Sequence, residues 1–73
     1  MTTDEMIVAS DTDEIGWVLG KVKQYSAKNS KLMFVIKRQG FYWMTEEYKP
    51  IKECFAKVYP GGRIELGRID GEQ

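Results

Sequence analysis

Two stretches in the middle of the chain have the apolar pattern that is typical of β-strands. They cover residues 31–38 and 41–46, are rich in aromatic and β-branched side chains, and are separated only by Gln39 and Gly40. A two-residue connection that contains glycine predicts a β-hairpin in which Arg38 lies opposite Phe41. The register of this hairpin then assigns each side chain of both strands to one of two faces.

The two faces of the predicted hairpin differ in character. The first face collects Leu32, Phe34, Ile36, Phe41 and Trp43, and we expect it to be core. The second face collects Met33, Val35, Lys37, Tyr42 and Met44. Because it mixes flexible methionines with a phenol and an ammonium group, this second face needs a cover, either another element of the chain or a partner.

The segment 49–62 has two interpretations. Apolar residues fall at i, i+3, i+4 and i+7 in the order Ile51, Cys54, Phe55 and Val58. This spacing favours a short amphipathic helix over 50–58 that begins at Pro50 and covers the second face of the hairpin. In the alternative, 54–58 is a strand and the sequence YPGG at 59–62 is a turn into a further strand.

The remaining segments predict strands around one loop. Residues 15–22 alternate apolar and small side chains and are interpreted as a strand, residues 23–31 as a polar loop, and residues 63–69 as a half-buried strand. The predicted fold is therefore α+β, a small antiparallel sheet of three to four strands with one short helix. If 54–58 is a strand instead, the fold becomes a five-stranded small β-barrel of the SH3-like kind.

The chain is expected to form one domain with an acidic arm in front of it. Residues 1–12 contain one apolar triplet, Met6 to Val8, among polar and acidic residues, so we interpret them as a flexible arm that could contain a short edge strand. Residues 13–71 then form the single compact domain, because 73 residues supply enough apolar side chains for one core only.

Composition restricts the environment more than the function. Eleven basic residues balance eleven acidic ones, so net charge gives no general attraction to nucleic acid or to an anionic membrane. One cysteine cannot form an internal disulfide, and no apolar run approaches the length of a membrane span. We expect a cytoplasmic protein, a monomer, with no contact to a membrane.

The side chains that carry most enzymatic chemistry are missing. The chain has no histidine, which removes the commonest general base and nitrogen ligand, and its one cysteine cannot build a zinc site. The acidic stretch 11–16 does not have the spacing of a calcium-binding loop, and the glycine-containing stretch 16–22 does not have that of a phosphate-binding loop. We expect no catalytic residues, no metal, no cofactor and no enzyme activity.

A binding surface is the hypothesis that remains. The candidate partner-binding residues belong to the acidic arm and to the second face of the hairpin: Asp4, Glu5, Met6, Ile7, Val8, Met33, Lys37, Tyr42 and Met44. Methionine adapts to irregular surfaces and tyrosine is enriched at interfaces, which favours a protein partner. The alternative is a small domain that binds single-stranded nucleic acid, because residues 15–45 contain six basic residues, no acidic residue and several aromatic side chains.

Two stretches carry a resemblance to known proteins. With MTTDEMIVASDTDEIGW at its start and KRQGFYWMTEEYKP in its middle, the chain resembles the small host-takeover proteins of lytic phages that inhibit the RNA polymerase of a bacterial host. The resemblance implies a host bacterial cytosol, binding to the N-terminal region of the polymerase β′ subunit, blocked promoter-dependent initiation, and antitermination as a further effect. It assigns no individual residue.

Overall fold

A computed structural model describes residues 5–67 of the chain. The elements are β1 (Met6–Ser10), α1 (Ile15–Asn29), β2 (Met33–Arg38), β3 (Phe41–Thr45), a 3-10 turn (Ile51–Glu53), β4 (Ala56–Val58) and β5 (Ile64–Leu66). One helix therefore accompanies five strands, and the predicted α+β class is confirmed. The strands form one open antiparallel sheet in the order β1-β3-β2-β4-β5. The alternative of a five-stranded barrel is therefore wrong, because the sheet does not close.

The central hairpin has the predicted register. Arg38 lies opposite Phe41, and the pairs continue outward to Phe34 opposite Thr45. Gln39 and Gly40 both have positive φ values, 56° and 83°, which is the signature of a type I′ turn. Glycine is the residue that adopts this conformation most readily, so the weak Gln-Gly signal was sufficient.

The N-terminal segment, expected to be a flexible arm, forms the edge strand β1. Met6 lies opposite Met44, Ile7 opposite Trp43 and Ala9 opposite Tyr42, with a bulge between Ile7 and Ala9. The interpretation of 1–12 as a flexible arm is therefore wrong for Met6–Ser10, and the short edge strand is the part of it that is confirmed. Asp4 lies outside the described residues.

The strand predicted over 15–22 and the loop predicted over 23–31 are wrong, because Ile15–Asn29 is a single helix. Val18, Val22 and Ser26 recur every fourth residue and are its buried positions. The helix ends at Ser30, whose left-handed conformation lets the backbone N–H of Lys31 donate to the carbonyl of Ser26 at 3.1 Å. The alternation of Ile15, Trp17 and Leu19 predicted a strand because so short a stretch does not distinguish the period of a strand from that of a helix.

Ser26 explains why the second half of α1 resembled a loop. Its side chain is fully buried, although serine is usually a surface residue. The hydroxyl lies within hydrogen-bond distance of two carbonyl oxygens, that of Lys31 at 2.5 Å and that of Val58 at 3.3 Å. A buried hydroxyl that donates to a carbonyl costs little, so a polar residue occupies an inward position of the helix.

The helix predicted over 50–58 is also wrong, and the strand alternative is confirmed there. Only Ile51–Glu53 is helical, as one 3-10 turn, and β4 follows. The N–H of Phe55 donates to the carbonyl of Val35 at 2.7 Å, which brings the chain alongside β2. Ala56 and Val58 then point to the same side of the sheet as Val35 and Met33, their partners in the register.

Each side of the sheet therefore has its own cover. On the helix side, α1 packs on a core to which every strand except β5 contributes a fully buried or nearly buried side chain: Ala9, Met33, Val35, Tyr42, Ala56 and Val58. On the opposite side, which we call the open face, the segment 46–54 covers the part around Phe34, Ile36 and Cys54. The cover of the second hairpin face is thus α1, not a helix at 50–58.

The glycine in the middle of α1 predicts a stabilising substitution. A methyl group added at Gly20 would meet nothing within 4 Å, and Gly20 has ordinary helical geometry. Gly20→Ala should raise the free energy of unfolding by roughly 0.5–1 kcal/mol, since alanine loses less backbone entropy than glycine. Gly40→Ala is the matched control: it also has open space, but its φ of 83° should make the same change destabilising. Equal effects of the two changes in urea unfolding would contradict this account.

Gly67 predicts the opposite effect, because backbone atoms crowd it. A Cβ at this position would lie 2.0 Å from the carbonyl oxygen of Cys54 and 2.3 Å from that of Ile51. We expect Gly67→Ala to lower the free energy of unfolding by about 1–3 kcal/mol, because backbone must move to admit the methyl group. Gly61→Ala, where nothing lies within 4 Å, should leave stability almost unchanged. Thermal unfolding of both variants tests the prediction.

Candidate partner-binding surface

The methionine and tyrosine positions proposed as a surface lie mainly in the interior. Met33 is fully buried and Tyr42 is nearly so, both beneath α1, and Met44 packs partly against the same core. These three side chains are therefore not a docking surface in this structure. Lys37 is exposed, with its ammonium nitrogen 5.8 Å from the centre of the Tyr42 ring.

The arm residues that the structure describes are divided between the two sides of the sheet. Met6 shares the helix side with its partner Met44, whereas Ile7 lies on the open face with Trp43. Val8 lies at the bulge, where its carbonyl oxygen is 3.5 Å from the ammonium nitrogen of Lys21. Of the arm residues that the structure describes, Ile7 thus belongs to the surface described next, and Glu5 binds one of its members, Arg38.

The exposed apolar side chains of the hairpin lie on the open face, near β1. We define the open-face patch as Ile7, Phe41 and Trp43 together with Arg38. Ile7 and Trp43 are direct partners across β1 and β3, and Arg38 and Phe41 are direct partners across β2 and β3. Side chains opposed in this way lie about 5 Å apart at their Cβ atoms, so the four groups form one continuous surface.

The patch is open because the segment 46–54 stops short of it. Ile7 is 54% exposed and Phe41 is 41% exposed, whereas Ile36, the neighbour of Trp43 on β2, is 9% exposed. Trp43 packs at the border between the covered and the open part. Sequence reasoning placed Phe41 and Trp43 on the correct face but assigned that face to the core, and it had no signal for how far 46–54 would reach.

Arg38 is the charged member of the patch and is held by three contacts. Its guanidinium carbon lies 4.6 Å from the centre of the Trp43 ring, and its backbone carbonyl accepts a hydrogen bond of 3.1 Å from the indole N–H of Trp43. The guanidinium also donates to a carboxylate oxygen of Glu5. This hydrogen bond lowers the pKa of the Glu5 carboxyl below its usual range, with the positive charges of Arg38 and Lys49 acting in the same direction.

Charges elsewhere on the open face are also paired within the chain. The ammonium of Lys57 lies 4.0 Å from a carboxylate oxygen of Glu65, its partner across β4 and β5. Lys49 lies 3.9 Å from Glu47 on the covering segment. Lys49 and Lys57 therefore lie beside carboxylates, which weakens the attraction of the described part of this face for a phosphate backbone.

The single cysteine has the environment of a core thiol. Cys54 is fully buried against Phe34 and Ile36, and its sulfur lies 3.7 Å from the carbonyl oxygen of Ile51. Burial raises the pKa of this thiol, with the nearby ammonium of Lys57 opposing the effect. A thiol that is protonated and shielded is a poor nucleophile, so Cys54 contributes packing.

A second exposed surface lies on α1. Trp17 is 52% exposed, and the ammonium of Lys21 lies 4.5 Å from the centre of its ring. Lys21, Lys23 and Lys28 are the charged residues of the helix, which has no acid. This surface, with an aromatic ring beside ammonium groups, differs in charge from the open-face patch.

The described part of the chain contains no group of three or more Cys, Asp or Glu side chains that could hold a metal ion. Within residues 5–67, no helix combines the length and the apolar character that crossing a bilayer requires. In comparisons with known proteins, no family model, no curated protein and no solved structure matches this chain significantly.

Proposed function

We propose that this protein is a non-enzymatic regulator that binds another protein through the open-face patch. The observation that supports it is the exposure of Ile7 and Phe41 on the open face, next to the partly buried ring of Trp43. Arg38, the charged member of the patch, is already paired with Glu5. Tryptophan and arginine are enriched among the residues that dominate binding energy at interfaces. A patch of this kind is suited to a protein surface with few charges.

The partner we propose is bacterial RNA polymerase, and the support for it is the resemblance of the chain to phage inhibitors of that enzyme. Docking near the N-terminal region of the β′ subunit would block promoter-dependent initiation by occluding or displacing another factor, with antitermination as a further effect. An interface of ordinary size covers roughly 800 Å² on each partner, which suffices for exclusion without chemistry. This chain has 4592 Å² of accessible surface, so such an interface would take about a sixth of it.

The test is binding of the purified full chain to bacterial core RNA polymerase, followed by transcription from a promoter and from a promoter-independent template. The proposal expects a complex and a selective loss of promoter-dependent initiation. A chain that forms no complex with the core enzyme, or that slows both templates equally, would remove the polymerase part of the proposal. Copurification with β′ fragments of decreasing length then locates the site.

Single-stranded nucleic acid remains the second candidate, because of the surface on α1. Exposed Trp17 with Lys21 over its ring is an arrangement on which a base can stack while an ammonium group approaches phosphate. Affinity for an oligothymidylate should then fall steeply between 50 and roughly 200 mM salt and should be reduced in Trp17→Ala. An oligonucleotide that binds neither at low salt nor at high salt would exclude this candidate.

A further inference from the structure

We infer that Arg38 is a recognition site for a carboxylate of the partner, and that Glu5 occupies this site until an apolar segment bearing that carboxylate displaces it. The inference rests on the proposed function, because it assigns the chemistry of the partner to the same open-face patch. Glu5 and Arg38 would then act as an internal competitor and its receptor. Two observations on Arg38 and one on Glu5 carry the argument.

The guanidinium of Arg38 is positioned in advance for a partner. It stacks at 4.6 Å over the Trp43 ring, while the indole N–H of Trp43 donates to the carbonyl of Arg38. These two contacts join ring and guanidinium into one unit at the centre of the patch. A cation that is already oriented loses less conformational freedom when it binds, which favours affinity.

The same guanidinium has donors beyond the one that Glu5 uses. The bond to Glu5 comes from one terminal nitrogen, and the Arg38 side chain is 42% exposed. An arginine side chain carries five N–H donors in a planar fork, which matches the two oxygens of a carboxylate. A partner carboxylate can therefore approach the fork while apolar atoms beside it rest on Phe41 and Ile7.

Glu5 is placed where it can leave without disturbing the sheet. It precedes the first residue of β1, whose pairing with β3 begins at Met6. The guanidinium of Arg38 donates to a carboxylate oxygen of Glu5, and this hydrogen bond lowers the pKa of the carboxyl, which favours the ionised form. The Glu5 side chain is 18% exposed and the Arg38 side chain 42% exposed, so water still reaches the pair from the Arg38 side. Ion pairs that water reaches are weak, so competition from Glu5 should lower the affinity of Arg38 for another carboxylate only a few-fold.

The surroundings favour a protein carboxylate over a polyanion or a second copy. The guanidinium lies over the Trp43 ring, and Ile7 and Phe41 are exposed apolar residues of the same face. One cation among apolar side chains suits a single carboxylate on an apolar segment better than a phosphate backbone, which needs several cations. In a second copy, Glu5 would already be bound to its own Arg38, so an exchange between copies would create no new charge pair. An apolar segment with one acidic side chain complements both the apolar side chains of the patch and the guanidinium of Arg38.

The test uses 4-phenylbutyrate as the probe and 4-phenylbutanol, its neutral analogue, as the control. NMR titration of the full chain follows the indole N–H of Trp43 and the methyl groups of Ile7. We expect the acid to bind more tightly than the alcohol, and Glu5→Gln to tighten the acid alone by about twofold to fivefold, since it removes the competitor. In Arg38→Gln the acid should bind no better than the alcohol, and Arg38→Lys should be intermediate.

The titration decides the inference whether or not polymerase binds. Equal affinity for acid and alcohol in the wild type and in Glu5→Gln would overturn it, as would perturbation of the patch by an oligothymidylate at lower concentration than by the acid. Concentration-dependent dimerisation through the patch, measured by sedimentation, would also overturn it. If polymerase binding fails while the probe behaves as expected, only the identity of the partner is wrong.

Discussion

Replacing Met33 by alanine should lower the free energy of unfolding by about 2–5 kcal/mol, the usual cost of removing a large buried side chain. Met33 is completely inaccessible and packs in the core between the sheet and α1. A domain of 73 residues has little stability to lose, so we expect a large part of the variant to be unfolded at 37 °C. Urea unfolding followed by circular dichroism measures the change.

Met33→Leu is the control, because it keeps the volume of the side chain and should cost less than about 1.5 kcal/mol. Any loss of partner binding in Met33→Ala should follow the unfolded fraction and should disappear under conditions where the variant is folded. The opposite result, normal stability with binding abolished, would mean that Met33 belongs to a surface and that α1 does not cover this side of the sheet.

The hairpin could be predicted because its information is local. Two strands, a two-residue connection and the pairing of Arg38 with Phe41 all lie within 15 residues, and both faces follow from the register alone. The edge strand β1 could be suspected for the same reason, from one apolar triplet. Its partner could not, because residues 11–40 of the chain lie between β1 and β3.

Part of helix α1 was predicted as a strand, and strand β4 was predicted as part of a helix. In both short segments the apolar residues fit the period of a helix and that of a strand. Residues 15–22 include Val18 and Val22 at helical spacing as well as an apolar alternation, and only the continuation to Ser26 separates the two. Residues 51–58 include Ile51, Cys54 and Val58 at helical spacing, yet Ala56 and Val58 pair with β2. Residues 56–58 form a strand because they pair with β2, which is distant in sequence.

The open-face patch could not be located from the sequence: of the predicted partner-binding residues that the structure describes, Ile7 belongs to the patch and Glu5 contacts its Arg38. In the aromatic triplet 41–43, the ring of Phe41 is exposed, that of Tyr42 is buried and that of Trp43 is partly buried. Which face is exposed depends on where α1 and 46–54 come to lie, and no local pattern reports that. The ion pair between Arg38 and Glu5 depends in the same way on the position of β1 next to β3. The sequence therefore contains no indication that these two charged residues are partners.

The double variant Ile7→Ala with Phe41→Ala should weaken binding to core RNA polymerase by at least about 30-fold, the loss expected when central interface anchors are removed. Both side chains are substantially exposed, so stability should change by no more than roughly 1 kcal/mol. The loss should appear mainly as faster dissociation, which biolayer interferometry resolves. Trp43 is left intact because it also packs against Ile36 and Phe34.

Trp17→Ala with Leu66→Ala is the matched control for this experiment. Both residues are exposed apolar side chains, 52% and 64% accessible, but they lie on α1 and on β5, the opposite edge of the sheet from β1. This variant should bind polymerase like the wild type. If it loses affinity while the Ile7 and Phe41 variant does not, the docking surface lies on the helix side, and a role of Trp17 beside the lysines of α1 becomes the better explanation. If both variants lose affinity equally, exposed apolar area alone governs binding and the open-face patch has no special part in it.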